Sequence, residues 1–146
     1  MSKITQENKA IISRLYEELE DKGNKDVIDE IFATNCVLHF PGGINLHGPE
    51  GYKEFRVPLD TALPDLKHSI EDMIVEADKV VARFILRGTY RGEFMGIAPT
   101  GKQVMLTSIA IYRIAGGKVV EGWCNADDFS LFQQLCVIPP IGQGGG

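Results

Sequence analysis

Between Gly116 and Val137 the chain reads GGKVVEGWCNADDFSLFQQLCV, and its hydrophobic period changes part-way along. Lys118 to Ala126 alternates with the two-residue period of a strand and holds the only tryptophan, Trp123. Past Asp127-Asp128 the period becomes that of a short closing helix, FSLFQQL. Gly116-Gly117, just ahead of the strand, suits the primed turn that joins two antiparallel strands. A chain that ends this way has one more strand upstream to pair with, and polar side chains gathered where strand gives way to helix.

Upstream the order is helices first, then strands. Thr5 can cap a helix in which Ile11, Ile12, Leu15, Tyr16 and Leu19 repeat at helical spacing, with Glu17, Glu18 and Asp21 on or near its solvated side. Gly23-Asn24 stops it, and Asp26 opens a second helix burying Val27, Ile28, Ile31 and Phe32. Asn35 to Phe40 reads as a short strand ended by Pro41-Gly42-Gly43. Gly48-Pro49-Glu50 starts a third helix with Tyr52 and Phe55 inside, which Pro58 is expected to end or kink. Strands follow at 68–77, 80–90, 102–114 and 118–126, with Phe94, Met95 and Ile97 in the loop from Gly92 to Gly101. The expected fold is α+β: a cone-shaped, curved antiparallel sheet with N-terminal helices packed on its concave face. Such a cone leaves an apolar hollow open at one end, suited to a small molecule. One domain is expected over residues 1–141, and GQGGG at 142–146 is expected to be a flexible tail.

A net charge of −5 argues against a nucleic-acid groove, which needs a basic face. No apolar run reaches membrane-spanning length, and MSKITQENK lacks the apolar core of a signal peptide. Cys36, Cys124 and Cys136 are widely spaced and show no metal-binding ladder, so the expectations are no metal, free thiols and a cytoplasmic location.

Several stretches together resemble the SnoaL-like polyketide cyclase domain: KAIISRLYEELEDKGNKDVIDEIFATNCVLHFPGG, GPEGYKEF, LPDLKHSIEDMIVEADKVVARF, GTYRGEFMGIAPTGKQV, IYRIAGGKVVEGW and the D…LFQQL ending. They cover the chain from about Asn8 to Val137. The resemblance implies the cone of the nuclear transport factor 2-like superfamily, shared with ketosteroid isomerase and limonene epoxide hydrolase. It also implies a homodimer, a small apolar carbonyl ligand and cofactor-free aldol ring closure by acid/base catalysis.

The family's acid/base pair is a histidine and an aspartate one residue apart on the last strand, and those positions fall on Gly122 and Cys124. The ketosteroid isomerase base falls near Phe40 and its acid near Ala110, while limonene epoxide hydrolase's relay lacks an aspartate after Arg83. Replacement candidates for catalysis are Cys124, which shares a strand face with Gly122, Tyr16 as a hydrogen-bond donor, and Asp127. Each has a plainer reading: a buried thiol, a core tyrosine, a helix cap. Leu38, Ser108, Ala110, Gly122, Trp123 and Arg83 are the candidate substrate-binding residues. His39 lies opposite Leu38 in parity and reads as a surface or interface residue; His47 and His68 read as solvated. A second reading is therefore a non-catalytic small-molecule binder or dimer scaffold that has lost the acid/base pair.

Overall fold

Helix α1, Lys3–Arg14, begins on Ser2, whose hydroxyl accepts from the Thr5 N–H at 3.2 Å, so the cap lies three residues before the expected Thr5. The computed structural model describes residues 2–135, apart from the side chain of Glu20; Cys136 and the glycine-rich tail lie outside the described residues. Beyond Arg14 the helix widens into a π-helical segment, Leu15–Asp21. Ile12, Leu15, Tyr16 and Leu19 point inward and are buried, as their spacing predicts. Gly23 takes a left-handed φ of +67°, and Asn24 caps a 3-10 turn at Lys25–Val27 that runs into α2, Ile28–Ile31.

Six strands follow or intervene: β1 Phe32–Phe40, β2 Ile44–His47, β3 Lys67–Glu76, β4 Lys79–Thr89, β5 Gln103–Ala115 and β6 Lys118–Ala126. They form one open sheet in the order β2-β1-β6-β5-β4-β3. Every neighbouring pair is antiparallel except β1–β6, where Leu38 lies beside Gly122 and His39 beside Trp123 in parallel register. The sheet is thus mixed at one joint. Register shifts interrupt β1–β6, β3–β4 and β5–β6, and such bulges bend strands. Gly116 and Gly117 have φ of +58° and +77°, which a primed hairpin turn requires.

Alternation sorts the side chains. On β5, Val104, Leu106, Ser108, Ala110, Tyr112 and Ile114 are buried, while Met105, Thr107 and Ile109 are exposed. Helix α1 and the π-helical segment lie on the inner face against β3 and β4, and α3, Gly48–Ala62, lies against β1 and β2. Pro58 does not end α3, which continues one turn beyond it. The closing helix α4, Asp128–Gln134, is pinned by Gln134, which exchanges hydrogen bonds with the Met105 backbone at 2.9 and 2.7 Å. In the loop before β5, the Tyr90 hydroxyl donates to the Ile97 carbonyl and accepts from the Phe94 N–H. Phe94 and Ile97 therefore pack on the core, and Met95 is exposed.

Candidate functional site

Inside the cone, the β5–β6 ladder and the π-helical segment bring together Tyr16, Cys124, Gly122 and Ala110. Tyr112 sits across from Gly122, and Ala110 across from Cys124. The Tyr112 hydroxyl lies 2.6 Å from the Tyr16 hydroxyl, a buried hydrogen bond, and the Cys124 thiol reaches it at 3.9 Å. Tyr16 is 3% exposed, and its ring packs on Phe84 with centroids 4.6 Å apart. Cys124 is half-buried, so this polar chain runs from the partly solvated thiol to a phenol deep in the core. Leu38, Gly122 and Ala110 line the same inner face and are buried. Ser108 is buried too, but its hydroxyl donates to the Asn125 carbonyl at 3.1 Å.

Sequence reasoning missed Tyr112, although the alternation of β5 places it on the same face as Ser108 and Ala110. It also placed His68 in solvent, and the structure corrects this. The His68 side chain is 3% exposed, and its Nδ1 lies 2.8 Å from Asp21 Oδ1, which also accepts the His68 backbone N–H at 2.7 Å. Asp21 belongs to the π-helical segment, where widened turns re-aim side chains and recur at functional sites. The His68 ring rests on Tyr16 and Phe84, with centroids 5.4 and 5.7 Å apart. Burial pushes the imidazole down from its ordinary range; the Asp21 hydrogen bond and charge oppose this, and the Arg56 charge adds to it. Arg56, buried on α3, binds Asp60 Oδ1 at 2.6 Å. One turn before it, the Tyr52 hydroxyl is buried without a hydrogen-bond partner among the described residues. Burial also pushes the Cys36 thiol up, which makes it a poor nucleophile.

The remaining candidates face the other way. Trp123 is on the outer face, stacked on His39 with centroids 5.7 Å apart, and the Lys79 ammonium lies 5.8 Å above its ring. His39 is held there by Asn45 at 2.8 Å and Glu121 at 2.9 Å, which raise its pKa. Arg83 is exposed on the outer face of β4 and does not line the cone. Asp127 is exposed and caps α4, accepting from the Ser130 N–H at 3.0 Å. Trp123, Ser108 and Asp127 do share one feature, an open groove of about 440 Å³ lined also by Thr107, Ile109, Ile111, Asn125 and Ala126.

A profile of the SnoaL-like polyketide cyclase family matches residues 10–135. The chain belongs to that family. Among solved structures, a proposed SnoaL-like polyketide cyclase from Jannaschia sp. CCS1 is 27% identical, with a TM-score of 0.87 over 96% of this chain and 98% of its own. A proposed polyketide cyclase from Acidithiobacillus ferrooxidans is 30% identical, with a TM-score of 0.81 over 93% and 98%. IdmH from Streptomyces antibioticus, also a proposed polyketide cyclase, is 29% identical, with a TM-score of 0.80 over 89% and 99%. No curated protein matches significantly. This SnoaL-like chain has the nuclear transport factor 2-like fold of these neighbours, and no helix among its described residues is long and apolar enough to cross a membrane.

Chemically, the interior of this SnoaL-like cone offers phenol hydroxyls, a thiol and a carboxylate-paired imidazole in apolar surroundings. Phenols donate hydrogen bonds to a developing oxyanion, and a low-dielectric setting strengthens them. Among the described residues, no cluster of three or more His, Cys, Asp or Glu side chains is spaced to hold a metal ion.

Proposed function

We propose that this SnoaL-like protein takes a small, largely apolar carbonyl compound into the cone and promotes proton abstraction beside the carbonyl, leading to aldol ring closure. The observation that carries the reading is the buried Tyr16–Tyr112 hydroxyl pair at 2.6 Å, walled by Phe84 and Leu38. One phenol of such a pair donates to the other, which strengthens the outward donor toward a substrate oxygen. Family membership sets the reaction class by analogy, and the substrate is named only by chemistry.

The test uses 2-tetralone, a small apolar ketone with acidic protons next to its carbonyl, in deuterated buffer. Wild-type protein is expected to speed deuterium uptake, and Tyr16→Phe to lose about 10- to 100-fold of that acceleration. Wild-type protein that binds the ketone without exchange would instead support the non-catalytic binder. We further propose a homodimer formed through the outer sheet face, where Ile74 and Ile109 are 59% and 51% exposed beside Met105. Light scattering at micromolar concentration should give a dimer mass for the wild type and a monomer for Ile109→Glu; a wild-type monomer sinks the proposal. The free thiols Cys36 and Cys124 support a cytoplasmic location, which cell fractionation checks.

A further inference from the structure

We propose that the open groove beside β6 receives Arg83 of the partner subunit, and that two such insertions fix the register of a homodimer. This rests on the outer-face dimer proposed above and adds which side chain enters which groove.

The outer face sorts its charges by strand. On β4 the outward residues are Lys79, Val81, Arg83, Ile85 and Arg87, so every charge there is positive. From Glu121 onward the outward residues are Glu121, Trp123, Asn125 and, just past β6, Asp127, so every charge there is negative. Between them β5 presents Met105, Thr107, Ile109 and Ile111, with Ile109 51% exposed. Arg113, farther along β5, is tied to Glu121. Arg83 stands mid-strand between two apolar neighbours and has no ion-pair partner among the described residues. Asp127 accepts the Ser130 N–H on Oδ1, and its Oδ2 has no partner among the described residues. A basic strip, a largely apolar strip and an acidic strip side by side make a face complementary to its own copy.

Strand register decides how two such faces meet. Copies joined through the same sheet face are related by a two-fold axis lying between the sheets. An axis running across the strands would lay β4 on β4, cation against cation. An axis along β5 sets Ile109 and Ile111 against their own counterparts and lays β4 of each subunit over β6 of the other. The rows then follow from the pairing within one chain. Ile111 lies between Val81 and Trp123, so the partner's Val81 covers Trp123. Ile109 lies between Arg83 and Asn125, so the partner's Arg83 covers Asn125. Thr107 pairs with Ile85 and accepts the Asp127 N–H at 2.9 Å, so Asp127 stands one row from that guanidinium.

Trp123, Asn125, Asp127 and the β5 residues beside them are walls of the groove of about 440 Å³. The groove is thus the socket that this arrangement places under the partner's Arg83. Aligned sheets cross at about 30°, and the resulting offset is smallest for the strands next to the axis, which are β4 and β6. Inside the covered groove the guanidinium donates to the Asp127 carboxylate and the Asn125 side-chain carbonyl, which offsets its loss of water. A register shifted along the strands leaves both charges covered and unpaired, so the pair selects one dimer among the apolar alternatives.

The experiment is a charge exchange followed by analytical ultracentrifugation at micromolar concentration, with every chain checked for native circular dichroism. Wild type is expected to sediment as a dimer. Arg83→Asp and Asp127→Arg are each expected to weaken dimerisation by about 100-fold or more, since like charges then meet at both grooves. Mixed in equal amounts, the two variants should form a dimer again. Each then sets its altered residue against the other's altered residue at one groove and keeps the native pair at the second. Asp127→Arg also removes the α4 cap. Should it not fold, Asp127→Asn keeps a capping oxygen, and its dimer is expected to be about 10-fold weaker and less sensitive to salt than wild type. Arg83→Asp that dimerises like wild type, monomeric variants that do not recombine, or an Asp127→Asn dimer with wild-type affinity overturns the Arg83 assignment and leaves the outer-face dimer standing. A wild-type monomer overturns both, and leaves the groove to a small molecule or to another protein.

Discussion

An added Cβ at Gly122 would stand 2.8 Å from Leu38 Cδ2 and 3.1 Å from Tyr112 Cδ1. Both neighbours are buried, so neither side chain swings into solvent to make room. The position that family resemblance assigns to a histidine is filled from outside, by a leucine of β1 and a tyrosine of β5. Tyr112 thus fills the space beside Gly122, and its hydroxyl meets that of Tyr16. Gly122→Ala should destabilise the fold by about 1–3 kcal/mol through overpacking. Urea unfolding measures it, and a loss below about 0.5 kcal/mol would mean that Leu38 and Tyr112 yield more easily than their burial implies. The parity of Cys124 and Gly122 was readable from alternation alone. That Tyr112 fills the gap was not, because it depends on register between strands.

At the scale of elements, α3 persists through a residue that should stop it. Pro58 has no N–H to give the Glu54 carbonyl, and it disfavours helical backbone at Val57. All three residues are exposed, so the defect lies on the solvent side of the helix, where a freed carbonyl costs least. Tyr52, Phe55, Arg56 and Leu59 meanwhile keep the inner face packed, and the Leu63 N–H closes the last turn on the Leu59 carbonyl at 2.9 Å. Burial on one face outweighs a local defect on the other. Pro58→Ala should therefore raise stability by about 1–2 kcal/mol, less than the full helix-propensity gap because proline also restricts the unfolded chain. Thermal melting checks it; an unchanged or lower midpoint would show that the turn depends on the proline. Elements with strong periods, such as β4, β5 and β6, were legible to within a residue or two. Strand β2, four residues long, was too short to carry a period. The parallel β1–β6 joint pairs segments some eighty positions apart, and no local pattern announces it. His68 misled for the same reason. It stands between Lys67 and Ser69 at a strand start, and partners distant in sequence, Asp21 and Tyr16 among them, take it out of water.

The molecule as a whole carries two histidines whose protonation pulls stability in opposite directions. On the outer face, Glu121 and Asn45 raise the His39 pKa above its unfolded value of about 6.5. Its contribution is fully present below that value and is lost as pH rises through the folded pKa. Inside the cone, burial lowers the His68 pKa, so its native state prefers the neutral ring. Its contribution is present above about 6.5 and is lost as pH falls through the folded pKa. Within the wild type the two slopes oppose each other around neutrality. Removing one should expose the other. Relative to wild type, His39→Gln should lose stability more steeply on going from pH 7.5 to pH 5.5, and His68→Gln should lose less or gain. Urea midpoints at the two pH values decide it. Matching slopes for His68→Gln and wild type would mean that the buried ring takes up its proton as readily folded as unfolded, which a side chain 3% exposed and pinned on Asp21 should not do. The outer-face half of the argument also bears on association. His39 stacks on Trp123, next to the Thr107–Ile111 groove, so a dimer that covers this face should further bury the His39–Glu121 pair and make the acid-side gain depend on protein concentration. A gain independent of concentration would argue against a dimer through this face.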